Sequence, residues 1–177
     1  TSVDRTSEGL RLSSKDHLED ATSLATEEVV VDVLTRHASG EHGSIEKDFQ
    51  SHLAAFSRGS VEDGPLHTAI YNSDGVPVVG TEQEPRPLPD AWSPELGQAQ
   101  FLKYGYSWSA HRYEGTVVAP IFSSAGNEKL GYLSIVVGLD SHLRYAAGMD
   151  DEESGPHDFH QFIYDISPQK LFTVYFE

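Results

Sequence analysis

The sequence contains no cysteine, which excludes disulfide bridges, thiolate metal sites and cysteine nucleophiles together. Basic residues are scarce: 12 Lys and Arg stand against 28 Asp and Glu, a formal net charge of −16. A chain this acidic repels polyanions and shows no basic patch, so nucleic acid is not an expected partner. Lysine is the scarcer base, with five against seven Arg. Abundant acid, little lysine and no cysteine resemble the solvation strategy of proteins from salt-loving microbes; an acidic mesophilic protein is the plainer alternative. No apolar run approaches the ~20 residues that a membrane-crossing helix needs, and no signal-like segment opens the chain. The first residue is Thr1 rather than Met, which suits a soluble portion of a longer protein with a membrane anchor outside it.

Signatures of catalysis are missing as well. There is no HExxH, G-x-S-x-G, P-loop or G-x-G-x-x-G motif. The nearest cluster among the nine His is His157-Asp158-x-His160, which offers two metal ligands in a polar linker with no third implied. Asp150–Glu153 lacks the alternating ligands and turn glycine of an EF-hand loop and reads as a solvated acidic face. His17, His37, His42 and His52 read as surface residues on helices or their connection. No enzyme, no cofactor and no metal site is expected.

What the chain does possess is a pair of apolar runs, Thr116–Phe122 and Leu130–Leu139, joined by SSAGNEK. Val, Ile and Tyr favour strands and Ser-Gly-Asn clusters favour turns, so Tyr113–Asp140 reads as a β-hairpin. The runs are nearly continuous rather than alternating, which places the hairpin at the centre of a sheet, buried on both faces. With 177 residues and 38% hydrophobic content, the chain suits one domain of ordinary size with an appended element.

Upstream, Ser13 and Asp16 resemble a capping box, and Leu18, Ala21, Leu24 and Ala25 recur at helical spacing. The β-branched run Val29–Leu34 is locally ambiguous, but packing overrides propensity, and one helix is expected from Lys15 to Ala38. Ser44 caps a second helix with an apolar stripe of Ile45, Phe49, Leu53 and Phe56, stopped at Gly59. Leu66–Asn72, the turn Ser73-Asp74-Gly75 and Val76–Thr81 form another hairpin. Pro77 marks an edge or a strand start. Residues 82–94 hold four prolines and are irregular; a short helix is expected from Pro94 to about Lys103, and another over Ser141–Met149. Asp150–Asp158 reads as an acidic linker. The tail reads as a hairpin turning at Ser167-Pro168-Gln169. Its His160, Ile163, Tyr164 and Asp165 echo His67, Ile70, Tyr71 and Asn72, which suits a second, truncated copy or an added strand pair.

Residues 92–113 differ in kind. Trp92 is followed by Tyr104, Tyr106, Trp108, His111, Arg112 and Tyr113 after the Pro-rich loop, the composition of a small-molecule pocket lined by aromatics. The alternative is that Tyr104, Tyr106 and Trp108 pack one face of a strand. Arg112 is the expected reader of an anionic ligand, because bases are scarce and its planar fork fits a carboxylate.

The order of elements, with AIYNSDGVPVVGTE (Ala69–Glu82) and VVAPIFSSAGNEKLGYLSIVVGLD (Val117–Asp140), resembles the Cache family of extracytoplasmic sensor domains. The resemblance covers roughly residues 14–140. It implies an α+β fold: a PAS-like central antiparallel sheet with a long N-terminal helix and flanking short helices. The segments are then 1–62, an N-terminal helical segment; 63–149, the PAS-like sensor core; and 150–177, acidic linker and C-terminal hairpin. It also implies the ligand-sensing part of a sensor histidine kinase or chemoreceptor, outside the cell membrane and anchored through flanking segments; the long amphipathic N-terminal helix is a natural element for a homodimer. The ligand is expected to be a small anionic or zwitterionic metabolite. Asp140 stands where amino-acid-binding members contact the ligand amine, whereas their R-x-W-[YF] element is missing: Trp108 precedes His111-Arg112-Tyr113. GAF and cytoplasmic PAS domains share a comparable hairpin, so a cytoplasmic regulatory or interaction module is the alternative.

Overall fold

The structure, a computed structural model, describes residues 15–40, 45–57, 65–82, 84–108 and 112–139. Helices α1 (15–25), α2 (Glu28–Ala38) and α3 (Ile45–Ser57) precede five strands. These are β1 (His67–Asn72), β2 (Pro77–Gly80), β3 (Gln100–Ser107), β4 (Arg112–Phe122) and β5 (Lys129–Gly138), all paired antiparallel in the order β2-β1-β5-β4-β3. The fold class is the expected α+β.

The β4–β5 hairpin is the long ladder of the sheet, registered from Glu114↔Gly138 to Phe122↔Lys129. As its continuous apolar runs require, both faces are covered. On one face Ile70, Val117, Ala119, Ile121, Leu133, Ile135 and Val137 join Ala21, Leu24, Val30, Val33, Leu34 and Phe49 of the helices in one core. On the other, Ala69, Tyr71, Val118 and Tyr132 meet Leu88, Trp92 and Leu96 of the Pro-rich segment. Contact between strands β1 and β5 is close enough to demand a glycine. A β-carbon on Gly131 would strike the Tyr71 carbonyl oxygen and lie 2.8 Å from Leu34 Cδ1.

Three expectations are corrected. The helix expected over Lys15–Ala38 breaks at Thr26–Glu27. Thr26 bonds the Ser23 carbonyl through its N–H (3.1 Å) and its hydroxyl (2.7 Å), and Glu27 is extended at φ −63°, ψ 135° before α2 begins. Thr competes for backbone groups in this way and closes a turn early. Both halves still pack on the sheet, because their apolar positions keep helical spacing. The short helix expected from Pro94 to Lys103 is absent. Residues 94–99 are irregular, and from Gln100 the chain is an edge strand, with a bulge between Phe101 and Lys103. The aromatic-rich stretch satisfies its backbone by pairing with β4, which a helical reading could not weigh. His17, expected at the surface, is buried and set edge-on to Phe101, with ring centroids 6.4 Å apart. The helix expected over 141–149, the acidic linker and the tail hairpin lie outside the described residues.

Candidate functional site

The segment 84–99 covers the sheet face opposite the helices. Its prolines remove donors and fix φ, so it cannot join a ladder and is held by side chains instead. At one end Trp92 sets its ring edge-on to Tyr132, 5.3 Å between centroids, and packs with Leu88 and Leu96. Tyr132 donates its hydroxyl to the Pro94 carbonyl (2.9 Å), and Lys129 Nζ donates to the carbonyls of Pro94 and Leu96 (2.7 Å each). Toward the end of β1, the Tyr71 hydroxyl donates to the Arg86 carbonyl. The turn below is equally determined: Asn72 Oδ1 accepts from the N–H groups of Asp74 (3.0 Å) and Val76 (2.9 Å), and Gly75 takes φ +76° against Trp92. Only Gly adopts that φ cheaply, and a β-carbon there would lie 2.9 Å from the indole.

Beyond this pinned end, cover and sheet part. A shallow cleft of about 20 Å³, partly open to solvent, lies between His67, Thr68, Ala69 and Tyr71 of β1, Ser134 and Val136 of β5, and Glu82, Pro85 and Arg86 of the cover. Alternation along the strand puts His67, Ala69 and Tyr71 on this face while Ile70 joins the helix-side core.

The polar wall of the cleft is a ladder of alternating charge. His67 Nδ1 faces Glu82 Oε1 at 3.3 Å. Glu82 takes Arg86 through both oxygens, Nε at 3.2 Å and Nη2 at 3.3 Å, a bidentate fork. Arg86 Nη1 reaches Glu114 Oε2 at 3.2 Å, and Arg112 Nε reaches Glu114 Oε1 at 3.0 Å. Glu114 is nearly enclosed, its side chain 10% exposed, and survives there because two guanidiniums share it. Two cations therefore meet two anions. Burial pushes the His67 pKa below its usual 6.5 against the pull of Glu82, with Arg86 and Arg112 adding to the depression and Glu114 opposing it. The imidazole is therefore neutral at pH 7. Burial also pushes the Tyr71 phenol up to about 12, although a hydrogen bond with Ser134 works the other way; Tyr71 is a neutral donor at any physiological pH.

The residues expected from sequence do not gather in one place. Arg112 stands beside the cleft, joined to it through Glu114. Tyr104 and Tyr113 pack toward the helix-side core, Tyr104 stacked on Phe101 at 5.0 Å. Tyr106 pairs with Tyr113 in the β3–β4 ladder. Trp108, at the end of β3, is 80% exposed. His111 and Asp140 lie outside the described residues. Strand alternation thus separates Arg112 from the tyrosines it was grouped with. Missing from the sequence reading are His67, Tyr71, Glu82, Arg86, Glu114 and Ser134. Two signals were available: Arg112 and Glu114 are two apart in a strand and so share a face, and Arg86 is a rare base inside a stretch already read as a cover. Among the described residues no three His, Asp or Glu are arranged to hold a metal.

By sequence, no family model matches this chain, nor does any curated protein. By structure, it is similar to the sensor domain of the V. cholerae histidine kinase DctB, with a TM-score of 0.57 at 13% identity, over 82% of this chain and 56% of that one. The fold is α+β with a PAS-like central antiparallel sheet. Weaker likenesses are to the ligand-binding domain of the P. aeruginosa PAO1 amino acid chemoreceptor PctB with L-Arg (TM-score 0.38, 15% identity, 81% of this chain and 65% of that one). Another is to the sensory domain of the Campylobacter jejuni chemoreceptor Tlp3 with isoleucine bound (0.37, 14%, 82% and 66%). The chain therefore spans between about half and two thirds of the length of these structures. No helix among the described residues is long and apolar enough to cross a membrane.

Proposed function

We propose that this chain is the ligand-sensing domain of a membrane receptor, a sensor histidine kinase or a chemoreceptor, and that its ligand occupies the cleft between the sheet and the Pro-rich cover. The observation that carries the reading is the cleft itself: a gap floored by buried sheet residues, closed at one end by Trp92 and Tyr132, and walled by hydrogen-bonded charge. Small-molecule sites have this make-up, apolar walls with a few convergent polar groups. The ligand in this reading is a small metabolite, anionic or zwitterionic. Arg112 supports this: among the described residues its two terminal nitrogens donate to no partner, leaving a fork for a carboxylate. No catalytic role is assigned to the domain; a kinase output would lie in a separate one.

In this reading α1 and α2 lead toward a membrane helix outside the chain, the domain faces the extracytoplasmic side, and two copies pair along these helices. The sensor core is 63–149, preceded by the helical segment 1–62, with 150–177 as linker and added strands. The acid-rich, lysine-poor composition supports a salt-loving host.

A thermal-shift screen of amino acids and organic acids at neutral pH tests the function. Stabilisation by at least one compound, abolished by Ser134→Leu at the cleft wall and weakened by Arg112→Gln, is expected. If no compound shifts the melting temperature, or if Ser134→Leu leaves the shift intact, the reading fails.

A further inference from the structure

His67 ends the ladder and is the member whose charge changes nearest neutral pH. The charged groups that face it are Glu82 and Arg86 from the segment after β2, and Arg112 and Glu114 from β4; β5 adds the uncharged Ser134 and Val136 to the same wall. With the imidazole neutral, two guanidiniums meet two carboxylates and the cleft has no net charge. Nδ1 lies 3.3 Å from Glu82 Oε1, so an added proton makes the imidazole a cation beside that carboxylate. Three cations then face two carboxylates. The excess positive charge sits in a half-buried wall, where a charge acts more strongly than in bulk water.

We propose that His67 sets the charge of the ligand the cleft accepts: the neutral imidazole admits a net-neutral zwitterion, and the imidazolium admits a small carboxylate anion that binds together with one proton. The inference rests on the cleft being the ligand site. The proton comes from solvent, so the apparent affinity for a carboxylate rises as pH falls while that for a zwitterion does not. Linkage makes the effect reciprocal. An anion that prefers the imidazolium form by about tenfold raises the His67 pKa in the complex by about one unit.

The test follows the imidazole rather than the natural ligand. The histidines of the full 177-residue chain are isotope-labelled and titrated by NMR, with His67 assigned through the signal lost in His67→Gln. Titrations run in sodium chloride, sodium acetate, sodium succinate and glycine at equal ionic strength. In chloride His67 titrates below 6.5, the direction that burial imposes. In acetate or succinate its pKa rises by about one unit or more, a tenfold effect, whereas glycine leaves it in place. Glu82→Gln, which keeps His67 and removes one carboxylate, lowers the His67 pKa in chloride. An unmoved His67 in both carboxylates overturns the proposal, as does an equal rise at every other imidazole. The two readings fail separately. Loss of proton coupling is an unmoved His67 while compounds still stabilise the fold, whereas loss of the sensor reading is no stabilisation by any compound at any pH.

Discussion

Arg86 Nη1 donates to Glu114 Oε2 at 3.2 Å across 28 residues of chain, and this bond ties the Pro-rich cover to strand β4. Glu114 answers to a second guanidinium, that of Arg112, so one enclosed carboxylate anchors both cations. Replacing it with Gln leaves two guanidiniums short of an anion. Loss of one partner from a fully buried pair costs about 3–5 kcal/mol. Here Arg86 and Arg112 keep part of their hydration, being 47% and 33% exposed, so about 1–2 kcal/mol is expected. Urea unfolding reads it directly; a midpoint equal to the unsubstituted chain's would show that the ladder does not hold the cover.

The close approach of β1 and β5 gives a sharper test. Gly131→Ala forces a β-carbon against the Tyr71 carbonyl oxygen and Leu34, where neither backbone can yield without breaking the Asn72↔Gly131 and Tyr71↔Tyr132 pairing. A loss of about 3 kcal/mol, the upper end for overpacking, or failure to fold is expected. A melting temperature close to that of the unsubstituted chain would contradict the register.

The His67 shift predicts how stability depends on acid. Its pKa is 6.5 in the unfolded chain and lower in the folded one. Between those values the unfolded state binds more protons, so stability rises with pH. The contribution is complete above 6.5 and is lost as pH falls through the folded value. Urea midpoints measured from about pH 7.5 down to about pH 5 should fall, and His67→Gln should flatten that part of the slope. An identical slope in the variant counts against the assignment.

Tyr71 predicts the opposite dependence at the alkaline end. Its pKa rises from 10.0 unfolded to about 12 folded. Its stabilisation is therefore present below pH 10 and lost as pH climbs through about 12. Tyr71→Phe also removes the bond to the Arg86 carbonyl, a loss of about 0.5–1.5 kcal/mol at neutral pH. The difference between variant and parent should shrink above pH 10; a constant difference across that range would mean that the phenol is not shielded.

Salt gives a further prediction. With 28 acidic and 12 basic residues, self-repulsion opposes the compact state. Surface pairs such as Lys15–Glu19, 68% and 65% exposed, offset little of it. Raising KCl from about 0.1 M to about 1 M cuts the screening length from about 10 Å to about 3 Å, and the melting temperature should rise. A flat or falling response would favour the plain acidic protein over one adapted to salt.

How much of this was legible before folding varies by element. The β4–β5 hairpin could be read because the apolar runs and the turn between them are contiguous, and the β1–β2 hairpin because Asn72 to Gly75 write their own turn. The break at Thr26–Glu27 could not, since Leu24, Ala25, Val30 and Val33 keep helical spacing through it and only a local competition for the Ser23 carbonyl decides it. Gln100–Ser107 was obscured for another reason. Its strand state depends on pairing with β4, a later segment, and isolated periodicity does not see a partner.

The cleft marks the same division. Composition and periodicity by themselves determined the two hairpins, the absence of thiol chemistry and the repulsion of polyanions, because each is a sum or a local pattern, while the α+β class came from the resemblance. They also made Arg112 conspicuous, since bases are few in so acidic a chain. Only the tertiary structure decided that Arg112 lies across the sheet from Tyr104 and Tyr113, and that His67, Glu82, Arg86 and Glu114 form one ladder. Those four come from β1, the cover and β4, and what brings them within 3.3 Å of their partners is strand register. Register is set by backbone pairing between distant segments, and a shift of one residue would turn His67 and Glu114 to the other face.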